Sequence, residues 1–138
     1  MFGLNLFSLL SGALNRRFQN HSDETQLRRE LLAHRRRELL YQHIPDVYAA
    51  QAAFGQRFDE LLNLLISYDP GQLRKLAAES PYYPEMARTL LYQLAGIDTI
   101  EKMRELLRQE TSLWFGQRII SAAELDMLTA ALWQWHTT

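Results

Sequence analysis

Residues 45–68 read PDVYAAQAAFGQRFDELLNLLISY, and this stretch decides the fold class. Val47, Phe54, Phe58, Leu61, Leu65 and Tyr68 recur at intervals of three, four and seven residues. At about 100° per residue they share one arc of a helix, with Leu62 at its edge. Gln56, Asp59, Glu60, Asn63 and Ser67 fall on the opposite side. Pro45 suits a first-turn position, where its missing N–H has no intrahelical partner to lose. Asp69-Pro70-Gly71 supplies turn chemistry at the other end. The spacing therefore predicts one helix over 45–68, with Phe58 and Leu61 at the centre of its apolar arc. A face carrying two Phe and several Leu needs a partner surface of similar size, so the expectation is an all-α bundle. It should hold about five to seven helices, with short antiparallel pairs in the C-terminal half.

Downstream, residues 72–79 read as a short helix with Leu73 and Leu76 inward. Pro84 suits the start of the next helix, whose face is Met86, Leu90, Leu91 and Leu94, with Gly96 just past its end. Asp98 or Thr99 caps a helix with Ile100, Met103, Leu106, Leu107, Leu113 and Trp114 on its inner face, and Gly116 ends it. Ser121-Ala122-Ala123-Glu124 has the spacing of a capping box, followed at once by Leu125, Leu128, Leu132 and Trp135 on one side. Trp133 falls off that arc. It is read as covering a second neighbour or anchoring a partner, since Trp is enriched at interface hot spots.

Upstream, Arg28-Arg29-Glu30-Leu31-Leu32 recurs eight residues later as Arg36-Arg37-Glu38-Leu39-Leu40. Eight residues advance a helix by two turns plus about 80°, so the two leucine pairs do not stack. Leu27, Leu31, Leu32 and Leu39 define one side, and Arg28 and Arg35 fall in its middle. Such a helix suits contact on two sides, with arginine stems lying over apolar surface and their heads reaching carboxylates of a neighbour.

Residues 1–20 form a separate segment ahead of a helical domain over 21–138. The segment has no charged side chain before Arg16. Its apolar run is shorter and more interrupted than a bilayer span of about 20 residues requires. It also lacks the basic start and clean cleavage pattern of a signal peptide. As a helix, it places Phe2, Leu6, Leu9, Leu10 and Ala13 on a broad apolar arc opposite uncharged Asn and Ser. Such a helix packs into a core, a second copy or a partner groove. A membrane surface is the alternative reading.

The chain has 138 residues, 47% of them hydrophobic and 22% charged, enough for a core without disulfides or metal. It has no cysteine, which excludes a thiolate nucleophile and fits a reducing compartment such as the cytoplasm. Net charge is −1, so the whole molecule has no strong attraction to polyanions. Charge is uneven, however. Arg16 to His43 holds seven arginines against four carboxylates, a net of +3. Ile44 onward holds eight cations against twelve carboxylates, a net of −4.

The run Arg35-Arg36-Arg37, with Arg28, is the one electrostatic candidate for nucleic acid. Three consecutive residues of a helix point three ways, though, and Glu30 and Glu38 interrupt the field, so a polyanion site is disfavoured. His34 between Glu30 and Glu38 reads as helix ion pairing rather than a metal site, because three ligands from one helix among arginines is a poor donor set. Residues 87–107 resemble a helix-turn-helix in spacing only. The second helix would present Glu101, Lys102, Glu105 and Arg108, a mixed face unsuited to phosphates. No serine-hydrolase elbow, phosphate loop or zinc-protease motif occurs. The reading is a non-catalytic interaction module, with no cofactor and no metal. It binds a protein partner or a second copy through Phe2, Leu6, Leu9, Leu10, Ala13 and Trp133. The alternatives are membrane attachment through residues 2–18 and nucleic-acid binding through Arg28, Arg35, Arg36 and Arg37.

Overall fold

The structure, a computed structural model, describes residues 21–116 and 120–138. The N-terminal arc of Phe2, Leu6, Leu9, Leu10 and Ala13 lies outside the described residues. These hold six α-helices, two short 3₁₀ turns and no strand. The all-α expectation is met. The helices are α1 (His21–Tyr41), α2 (Val47–Phe54), α3 (Gln56–Tyr68), α4 (Tyr82–Gln93), α5 (Ile100–Phe115) and α6 (Ala122–Thr137). The chain divides into two units, Met1–His43 and Ile44–Thr138.

In the second unit, α5 packs on α6, α3 on α4 and α6, and α4 also meets α2 and α5. The core is built from Phe58, Leu61 and Leu65 of α3, Tyr83, Met86 and Leu90 of α4, Met103 and Leu107 of α5, and Leu128 and Leu132 of α6. All ten are fully buried. Phe58 and Leu61 occupy the central place their spacing implies.

The stretch 45–68 is two helices rather than one. Gly55 sits between them at φ 57°, in the left-handed region that glycine enters without steric cost. Its N–H closes α2 on the Gln51 carbonyl at 2.8 Å, and its own carbonyl accepts from Phe58 N–H at 3.1 Å to open α3. Asp46, not Pro45, starts α2, its carboxylate accepting the Ala49 N–H at 2.9 Å. Phe54 meets the Tyr92 ring edge-on at 5.0 Å. The Arg88 guanidinium donates to the Ile44 and Pro45 carbonyls at 3.0 and 3.2 Å, fixing the entry to α2 on α4.

Residues 72–79 do not form the expected helix. Only Arg74–Leu76 makes a 3₁₀ turn; Leu76 is 64% exposed, and Ala77 is buried instead. The cause is the Asp69 carboxylate. It accepts from Leu73 N–H (2.9 Å), Arg74 N–H (2.8 Å) and the Tyr83 hydroxyl (2.5 Å). Those bonds hold a loop in which Asp69, Gln72 and Arg74 all have positive φ. A side chain that satisfies nearby backbone donors competes with regular helix. Gly71 donates to the Tyr83 hydroxyl at 2.9 Å, and a Cβ at Gly71 would lie 2.5 Å from the Phe115 ring.

The remaining ends follow their sequence signals. Thr99 caps α5 by accepting Lys102 N–H, Gly116 closes it, and Ser121 with Glu124 forms a reciprocal capping box on α6. Leu125, Leu128 and Leu132 are buried, and Trp135 is half-buried.

Candidate functional site

The first unit carries an inversion. In α1, Arg37 is 7% and Tyr41 8% exposed, while Leu32 and Leu39 are 66% and 69% exposed. Leu31 and Leu40 are exposed as well. Burying the leucine side would place Arg28 and Arg35 in a core. The structure leaves that side open. Arg28, Leu32, Arg35 and Leu39 fall within about 60° of one another around the helix. They form a row of alternating apolar and cationic side chains facing solvent.

The charges on this row are largely available. Arg28 bonds Glu24 on its own helix at 3.0 Å, with its side chain three-quarters exposed. Exposed pairs of this kind contribute little and exchange readily. Arg29, Arg35 and Arg36 are exposed and form no ion pair among the described residues. His34 Nε2 lies 2.9 Å from Glu38 Oε1, the contact one turn along the helix that their spacing implies.

The four arginines singled out for electrostatics separate in space. Arg28, Arg35 and Arg36 face solvent, and Arg37 is buried. They do not converge on one point, as a phosphate site requires. The face of α5 is also unsuited to phosphates. Lys102 pairs with Asp98, Arg104 with Asp126 of α6, and Arg108 with Glu105. The Arg108 guanidinium and the Gln109 amide pull the Glu105 carboxyl down to about 2.

A second surface is the open groove between α3 and α6, about 620 Å³ in volume. Its walls include Glu60, Leu64, Tyr68, Ala131, Gln134 and Trp135. Trp135 Nε1 donates to Glu60 Oε1 at 3.2 Å, and Gln56 donates to Glu60 Oε2 at 3.2 Å. The Arg57 guanidinium lies 3.9 Å above the Trp135 ring. Both oxygens of the groove's carboxylate are therefore engaged. Trp133 is half-buried, its ring 6.1 Å from that of His136.

Glu110 and Thr89 were not singled out by periodicity. Glu110 is 1% exposed on the core face of α5, 2.6 Å from the Thr89 hydroxyl, which also lies 3.0 Å from the Met86 carbonyl. Sequence offered a signal, since Glu110 follows Met103, Leu106 and Leu107 at core spacing. Among the described residues no group of acidic or histidine side chains is arranged to hold a metal ion. None of the described helices is long and apolar enough to cross a membrane. The chain matches no protein-family model, no curated protein and no solved structure.

Proposed function

We propose that this chain is a non-catalytic helical interaction module, an adaptor, chaperone or regulatory subunit, that engages a protein partner through α1. One observation carries the reading: α1 turns Leu31, Leu32, Leu39 and Leu40 outward, while residues 44–138 close a core of their own. Leu31, Leu32 and Leu39 lie on one side of α1 and Leu40 on another, and large apolar side chains that share an open side are the usual mark of a contact surface. Neither surface described above gathers a nucleophile, a base and an oxyanion donor. The same reading assigns Phe2, Leu6, Leu9, Leu10 and Ala13 as further apolar contacts and Trp133 as an outlying anchor.

The test is a quantitative pull-down from the source cell with the full chain and its Leu32→Glu/Leu39→Glu variant, both checked for helicity by circular dichroism. A protein retained by the wild type and lost from the folded variant supports the reading. Identical recovery from both would remove α1 from the contact.

A further inference from the structure

We infer that the partner presented to α1 is an acidic amphipathic helix from another protein, laid along the row Arg28, Leu32, Arg35 and Leu39. The inference rests on the interaction reading above and names the chemistry of its partner.

The row itself sets the requirement. Leu32 and Leu39 are seven residues apart, the repeat at which one helix meets another along a seam. Arg28 and Arg35 have the same spacing and alternate with them along the row. An occupant must place apolar side chains on the leucines and carboxylates on the guanidinium groups, with the arginine stems packed beneath. A guanidinium takes a carboxylate through two parallel N–H···O bonds, so acidic side chains on the partner's flanks fit both arginines. Arg29 and Arg36, on the adjoining strip, extend the cationic border.

Three other occupants fit less well. Residues 1–15 of this chain hold no carboxylate, so they match the leucines and leave the arginines unanswered. A second α1 would bring the same arginines to the seam and oppose like charges across it. A lipid surface selects helices whose apolar and basic sides are segregated, whereas here leucine and arginine alternate within one strip.

The experiment measures binding of the full chain to a fluorescein-labelled helical peptide of about three heptads, with Leu on its inner positions and Glu on its flanks. The control replaces every Glu with Lys. Wild type should prefer the Glu peptide by about tenfold or more, as close interfacial charge pairs do. Arg28→Glu/Arg35→Glu should reverse that preference, a gain that a misfolded variant does not produce. Leu32→Ala/Leu39→Ala should weaken the Glu peptide by a similar factor. Equal binding of both peptides, lost in the leucine variant, would overturn the acidic partner and leave the interaction reading standing. Absence of binding to the Glu peptide would overturn the inference. So would binding to phosphatidylserine vesicles alone, or self-association in light scattering that Arg28→Glu/Arg35→Glu abolishes.

Discussion

In α3, Leu61 and Leu65 are fully buried; in α1, Leu32 and Leu39 are about two-thirds exposed. Both helices contain leucines at intervals a helix brings onto one side. The difference lies in what falls between them. The arc of α3 runs through Phe58, Leu61 and Leu65, and its charged residues Arg57, Asp59 and Glu60 lie off it. The arc of α1 is interrupted by Arg28 and Arg35. A guanidinium without a fixed carboxylate is far more expensive to bury than a leucine is to expose. A helix with arginine in the middle of its apolar side, and no carboxylate fixed against it, therefore keeps that side in water. Leucine spacing alone reports that a surface exists. The residues between the leucines decide whether the chain or another molecule covers it.

The sharpest way to break this comparison is to truncate both sides of it. Phe58→Ala removes a fully buried ring at the centre of the α3 face. It should cost about 3–5 kcal/mol, from lost transfer energy and the cavity left behind. Urea denaturation followed by circular dichroism measures it. A Phe58→Ala chain with the wild-type midpoint would mean that α3 does not organise the core.

Next in size is the Asp69 hub. Asp69→Ala removes the acceptor for two backbone N–H groups and one hydroxyl in a loop with three positive-φ residues. The loss should be about 2–4 kcal/mol. The hub also makes a pH prediction. Burial, with the Asp69 carboxylate next, pushes the Tyr83 phenol well above its ordinary range. An unfolded phenol ionises near pH 10, about its reference value, while the folded one keeps its proton. Stability from this group is therefore complete below about pH 10 and declines as the pH rises beyond it. Tyr83→Phe should flatten that alkaline slope, while a slope unchanged by the substitution would assign it to other tyrosines.

Helical class, most of the core-facing residues of α3, α5 and α6, and three helix ends were legible because periodicity and capping are local; Tyr68 and Ile100, which spacing puts on those inner faces, sit at helix ends and are each 40% exposed. The break at Gly55 was not, because a glycine inside an apolar-periodic run is compatible with continuity until the two halves pack differently. The 3₁₀ turn at Arg74–Leu76 was hidden for a related reason. Its shape depends on Tyr83, fourteen residues beyond the Asp69 carboxylate to which it donates. Glu110 escaped notice because a carboxylate at core spacing reads as an interruption until Thr89 is known to lie beside it. The candidate site was half legible. Arg28 and Arg35 among the leucines were visible as an anomaly. That the whole side would be open, and that Arg37 would be the buried arginine, required the structure.

The smallest expected effect sharpens the comparison most. Leu32→Ala and Leu39→Ala each remove a large apolar side chain, as Phe58→Ala does, yet both positions are already mostly in water. No cavity forms when they are cut back, and little transfer energy is lost. Each should change stability by no more than about 0.5 kcal/mol, the range of ordinary surface substitutions. Alanine also has the higher helix propensity, which offsets part of any loss. The same two substitutions should reduce partner binding sharply, because the transfer energy unused in the free chain is realised only in the complex. Measured together, denaturation midpoints and binding constants separate the two roles. A leucine that matters to folding and not to binding belongs to a core, and a leucine that matters to binding and not to folding belongs to an interface. A midpoint loss of several kcal/mol at Leu32 or Leu39 would place them with Leu61 and Leu65, and the contrast between α1 and α3 would fail.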